Sequence, residues 1–464
     1  MLHLSLLWII ILFMLIVIDI KKPKNFPLGP KWLPILGSMF CKAIEQIASQ
    51  YQNNKGLLGL KIGKDRIVLA ISNESLREMM LNEDLDGRPT GPFYETRTWN
   101  LRRGVLLTDG EFWQEQRRFI VKHLKEFGFA RRGMFDIIQN EAEYLFKDIF
   151  NMVERANGKV LTDMQGLFST PVLNTLWVMM AGKRYSRENK TLKELQKLLH
   201  QLFTSIDMVG CLFSHFPFLR YLAPHSSGYR PFLETHEHMY DFIRKEVENH
   251  KRNFQIESEP RDLMDVYIKI ILVEKQLNTF SEQQLLAVCL ELQSRIQKEL
   301  DATIGRERLP RLEDRPNLPF CEAVVLEALR VFMANTLGVA HRALRPTKLC
   351  GFDIPKDTML VGLYRGMMMD SNLWKNPADF DPDRFIQNGR VVIPNEFYPF
   401  GLGKHRCMGE MLARSNVFLF ITTILQNFCI SIPAGHPMPS DEPIDGATPS
   451  VRNYKVVISH RPEC

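Results

Sequence analysis

The first eighteen residues (MLHLSLLWIIILFMLIVI) make one apolar run without formal charge when His3 is neutral. As a helix rising about 1.5 Å per residue the run reaches ~27 Å, enough for the thinner bilayer of the endoplasmic reticulum. A cleaved signal peptide needs a basic leader and a small-residue cleavage site, whereas here Lys21, Lys22 and Lys24 follow the run and no such site is present. The pattern predicts an uncleaved membrane anchor over 1–20, with the lysine flank placing the body in the cytosol. Prolines at 27, 30 and 34 deny helix and enforce extended backbone, which predicts a stiff, basic, proline-rich hinge over 21–40. From about 40 to 340 the spacing of apolar positions is mostly helical. Residues 111–125 are amphipathic, and Asn317-Leu318-Pro319 opens a helix that reaches Arg330. Ser281 and Gln284 form a capping box ahead of a stripe at Leu285, Val288, Leu292, Ile296 and Leu300. Short β-like runs occur at 67–71, 359–363 and 456–458. No internal repeat is visible, and the pattern predicts a mainly α fold with minor β sheet over 41–464.

Composition narrows the function without naming it. With 464 residues, 45% of them apolar and 24% charged, the chain is an ordinary globular protein, neither disordered nor a small disulfide scaffold. A net charge of +6 is too mild and too dispersed for a nucleic-acid partner. Eight scattered cysteines with no CxxC fit reduced cytosolic thiols better than a disulfide framework or zinc ribbon. The sequons at Asn73 and Asn189 would then stay unmodified.

The most informative segment is Phe400-Gly401-Leu402-Gly403-Lys404-His405-Arg406-Cys407-Met408-Gly409, followed by an apolar helical stretch. A cysteine at a helix N-terminus has its thiolate stabilised by free N–H groups and the dipole, and three basic neighbours add positive potential. Gly401 and Gly403 open backbone conformations closed to other residues, and Gly409 lets a flat group approach. Such a thiolate suits a nucleophile, a redox thiol or an iron ligand; a buried structural cysteine is the plainer alternative.

This decapeptide resembles the haem-binding signature of the cytochrome P450 family, and four further elements follow the family's order. PLGPKWLPILG resembles its proline-rich hinge. Trp113-Gln114-Glu115-Gln116-Arg117 resembles its WxxxR element, Glu327-Ala328-Leu329-Arg330 its ExxR, and Asp381-Pro382-Asp383-Arg384-Phe385 its PERF segment. The flavour is that of microsomal insect members. The resemblance implies a haem-dependent monooxygenase in the endoplasmic reticulum membrane, its catalytic domain facing the cytosol. It would insert one atom of dioxygen into a small lipophilic substrate with electrons from NADPH through a reductase. Haem b would be the cofactor and Cys407 its axial iron ligand. Phe400 would pack beside the sulfur, and Trp113, Arg117, His405, Arg88 and His341 would hold the propionates. His405 stands where the family usually carries arginine. Glu327, Arg330 and Arg384 would form a buried structural triad. Arg117, Arg118, Lys122, Lys125, Lys404 and Arg406 would make a basic proximal face for an acidic reductase domain.

One family element is missing. The distal helix normally carries an Ala/Gly-Gly-x-Asp/Glu-Thr stretch whose acid and alcohol deliver protons to bound dioxygen. This chain reads LLAVCLELQSRIQKELDATIGRERLP there, passing from a start that resembles that helix to a later helix near 292–293. Two dozen or more residues, about 40 Å of helix, are absent, and no catalytic acid–alcohol pair is identified. The alternative reading is therefore a catalytically impaired haem- or reductase-binding isoform.

Overall fold

The computed structural model describes residues 16–38, 54–126, 132–186, 211–253, 308–333, 337–431 and 454–460, and the single positions 11, 14, 129, 189, 190, 193 and 433. The capped stripe at 281–300 and the break near 292–293 lie outside them. The chain is mainly helical with minor sheet. In chain order the long helices are α1 (Asn73–Leu81), α2 (Gly110–Glu126), α3 (Arg132–Arg155), α4 (Met164–Ala181), α5 (Tyr229–Asn253), α6 (Pro319–Met333) and α7 (Glu410–Asn427). The strands are β1 (Leu57–Ile62), β2 (Asp65–Ala70), β3 (Lys159–Asp163), β4 (His341–Arg342), β5 (Thr347–Leu349), β6 (Phe352–Ile354), β7 (Met359–Gly362), β8 (Ile386–Gln387), β9 (Arg390–Val391), β10 (Phe428–Ser431) and β11 (Lys455–His460).

Four strands form a sheet in the order β1-β2-β7-β4, with β2 and β7 parallel and both outer pairs antiparallel. A second sheet has the order β10-β11-β3. Runs 67–71, 359–363 and 456–458 fall on β2, β7 and β11, because branched apolar residues fit a half-buried pleated surface. Strand β1 (LLGLKI) escapes a search for alternation because five of its six residues are buried. Helix α7 buries Leu412, Val417, Phe418, Leu419, Phe420, Ile421 and Ile424 together with Ser415, Asn416, Thr422, Thr423 and Gln426, so it is buried on most sides and runs through the core. It packs on α3 and α6.

The hinge behaves differently from a free-standing spacer. Phe26 and Trp32 are buried and meet edge to face at 5.8 Å, and the Gly59 amide donates to the Leu28 carbonyl at 2.8 Å. A Cβ on Gly29 would sit 2.0 Å from the Gly59 carbonyl oxygen, so this close approach requires glycine. Residues 26–38 are thus laid along β1. Among the described residues no helix is long and apolar enough to cross a membrane, so the structure gives the expected anchor no support; residues 1–10 lie outside that description.

Candidate active site

Cys407 sits in the loop that leads into α7, three residues before the helix begins. The loop is closed by main-chain bonds from the Cys407 amide to the Phe400 carbonyl at 2.9 Å and from the Gly401 amide to the Tyr398 carbonyl at 2.9 Å. Gly401 and Gly403 both take positive φ, and a Cβ on Gly403 would stand 2.5 Å from the Met80 carbonyl oxygen. This loop therefore cannot be built without glycine at 403. Cys407 is exposed. Desolvation nevertheless raises its pKa above the usual thiol value, and the Gly409 N–H with the charges of Arg117 and Arg406 offsets this only in part. Phe400 is half-buried against the core.

Helix α2 brings in the next groups. Trp113, Gln116, Ile120 and Leu124 form its buried stripe, and Arg117, one turn on from Trp113, lays its guanidinium over that ring at 5.4 Å. Arg117 Nη2 donates to the Arg406 carbonyl at 2.6 Å, which ties the helix to the cysteine loop. The His405 ring lies 4.1 Å from that of Trp113 and donates from Nε2 to the Asp86 carbonyl at 3.1 Å. Burial and the nearby Arg88 charge push its pKa down to about 3, so the imidazole is neutral near pH 7 and lacks the charge an arginine would bring.

Arg88 and His341 come from opposite ends of the sequence to the same place. His341 begins β4, is buried, and donates from Nδ1 to the Leu85 carbonyl at 2.9 Å; its ring is 5.9 Å from that of His405. Burial holds its pKa well below the usual histidine range. Arg88 is buried, with Nη1 on the Ala340 carbonyl at 3.1 Å, and burial pushes its pKa down to about 10. The sequence-predicted residues Trp113, Arg117, His405, Arg88, His341 and Cys407 thus form one continuous constellation. Asp86, Asp109 and Tyr364, which the sequence reading passed over, border it. Asp109 accepts the Arg88 amide at 2.6 Å, and the Tyr364 hydroxyl would stand 3.7 Å from a Cβ on Gly401. No motif marks these three.

The triad is assembled between α6 and the 379–384 stretch. Glu327 and Arg330 are fully buried and joined by two parallel bonds of 2.8 Å. Arg384 Nε lies 3.1 Å from Glu327 Oε2, and the Asp381 amide donates to Glu327 Oε1 at 2.9 Å. Arg330 reaches on to the Met368 carbonyl at 2.6 Å. Of the expected basic face, Arg118, Lys122 and Lys125 are exposed along α2, whereas Lys404 pairs with Glu83 and Arg406 with Glu410.

With this geometry in hand, the relatives fall into place. The cytochrome P450 family model matches residues 27–292 and 285–456. The chain belongs to the cytochrome P450 family. It is 44% identical to probable cytochrome P450 303a1 of Drosophila melanogaster, covering 98% of this chain and 99% of that protein. It is 34% identical to farnesoate epoxidase of Bombyx mori over 97% of both chains. Cytochrome P450 2J1 of Oryctolagus cuniculus is 27% identical over 91% of this chain and 89% of its own. The protein is accordingly a P450 of insect type and a haem-thiolate monooxygenase with haem b as its cofactor.

The donor set fits that cofactor. Trp113 Nε1 and Arg88 Nε are buried and have no hydrogen-bond partner among the described residues, the condition of donors that await carboxylate acceptors such as haem propionates.

Proposed function

We propose that Cys407 would ligate the iron of haem b, that Trp113 and Arg88 with Arg117, His341 and His405 would hold its propionates, and that Glu327, Arg330 and Arg384 brace the cysteine loop. The observation that carries this is a lone cysteine in a glycine-shaped loop beside two buried donors that have no partner among the described residues. Bound there, haem b supplies the oxygen chemistry, with the thiolate favouring O–O cleavage. The chain's own part is to hold the sulfur at the helix mouth, keep Phe400 packed beside it and neutralise the anionic edge of the ring. The protein works at the endoplasmic reticulum membrane through its apolar N-terminus, body in the cytosol, and acts on a small lipophilic substrate. Electrons come from NADPH through a reductase that docks on the basic face of α2, where Arg118, Lys122 and Lys125 are exposed beside Arg117. The ferrous carbon-monoxide difference spectrum of the full chain in membranes tests the ligand: a thiolate-type Soret band that Cys407→Ala abolishes is expected. A neutral-ligand band, or none, overturns it.

A second reading, an isoform impaired in oxygen activation, is favoured by a break in the match. The two family-model segments overlap at 285–292 instead of running through. The 500-column alignment with the Drosophila relative takes up 98% of this 464-residue chain, about 455 residues, so about 45 columns face no residue here. Loss of the distal acid–alcohol pair would cost roughly 10²–10⁴-fold in rate. NADPH-dependent turnover above a Cys407→Ala control would exclude this reading; a haem-loaded chain without turnover supports it.

A further inference from the structure

We infer that the N-terminal segment is locked to the body by the pair Asp19–Lys61, which fixes the angle at which the body meets the lipid surface. The inference rests on the proposed membrane attachment. Lys61 lies within β1, the edge strand of the four-stranded sheet, and its side chain is only 6% exposed. Lysine is almost never so buried unless it is paired. Its partner is Asp19, whose Oδ1 is 2.5 Å from the ammonium and whose Oδ2 accepts the Ile35 amide at 2.8 Å. Both carboxylate oxygens are therefore committed, and one side chain joins the helical turn at 16–20, the hinge and the sheet.

The surrounding contacts work in the same direction. Lys22 Nζ donates to the Gly29 carbonyl at 2.8 Å and stands 5.6 Å from the centre of the Trp32 ring. The Ser38 amide donates to the Lys61 carbonyl at 2.6 Å, so the hinge is held on the same residue that receives Asp19. Burial raises the Asp19 pKa, but the Lys61 hydrogen bond and the Ile35 amide outweigh it, and the carboxyl lies below its usual range. A free tether would not fold back over these residues to satisfy one carboxylate twice. Leu28, Leu33 and Ile35 point outward from the locked segment, as do Val17 and Ile18 beside it. The lock thus presents these apolar side chains in one fixed pose.

Hydrogen exchange of the full-length chain in phosphatidylcholine vesicles tests this, read on peptides spanning 26–37 for wild type, Lys61→Met and Asp19→Asn. Both variants should exchange there about tenfold faster, the equivalent of about 1.4 kcal/mol, while peptides from α7 keep wild-type protection. Because Lys61→Met alters the sheet itself, Asp19→Asn decides: wild-type exchange at 26–37 in that variant overturns the lock. Vesicle flotation is scored separately. A chain that stays in the supernatant overturns membrane attachment, and the exchange comparison then still reports on Asp19–Lys61 in the soluble protein.

Discussion

Around Glu327 both carboxylate oxygens are engaged, by Arg330 and by the Asp381 amide, with Arg384 alongside. Around Trp113 and Arg88, equally buried, two donor atoms have no partner among the described residues. The two clusters teach different things about buried polarity. A paired ionic cluster gives each charge removed from water an opposite charge within reach, so removing one partner strands the others, although Arg384 Nε itself has no aligned hydrogen bond among the described residues. An unsaturated one carries a desolvation cost that a ligand is positioned to offset. Their sequence signatures look alike, since both include an acidic or aromatic residue followed by arginine one turn later.

The largest effect separating the two should come from Glu327→Gln. It leaves Arg330 and Arg384 as uncompensated buried charges, and the expected loss is roughly 3–5 kcal/mol, read as a fall in the urea midpoint of the haem-free chain. Arg88→Met should cost far less. It removes the unpartnered Nε together with the Nη1 bond to the Ala340 carbonyl, so the urea midpoint of the haem-free chain should fall much less than in Glu327→Gln. Haem affinity should drop by about 1.5–3 kcal/mol, measured by transfer to apomyoglobin. If both substitutions destabilise the haem-free chain alike, the distinction between the clusters fails.

A smaller, pH-dependent effect sharpens the saturated side. Glu322 on α6 accepts from Nε and Nη2 of Arg315, at 2.6 Å each, and from Arg414 of α7. Burial raises its pKa, but Arg315 and Arg414 outweigh that and hold it below the ordinary carboxylate value. The folded state therefore prefers the ionised form. Its stabilisation is complete above the unfolded pKa near 4.3 and is lost as pH falls through the depressed folded value. Glu322→Gln should lower the thermal midpoint at pH 7 and converge with wild type in acid. A constant gap from pH 7 to 3 would show that shape, not charge, matters there.

Much of the site was legible because its chemistry is carried by short spacings within single elements. Trp113 and Arg117 share one helix face, Glu327 and Arg330 another, and the glycines at 401 and 403 shape one loop. Strand β1 and the docking of the hinge were not legible. A run such as LLGLKI reads equally as a spacer-side apolar stretch, and the contact of Gly29 with Gly59 joins residues thirty apart. Nor could spacing reveal that Arg88 and His341 converge, since β4 reaches β2 only by way of β7.

Residue order alone carries the single cysteine at a helix mouth framed by glycines and cations, the Glu327/Arg330 spacing on the helix ahead of it, and the expectation that the distal element is missing. Those are local facts of residue type and order. Tertiary structure decided which charges are answered and which are left open, and that Lys61 is buried against Asp19. Burial and partnership depend on what distant segments bring to the same point. Physical chemistry assigns a buried polar group its role only once its neighbours are known.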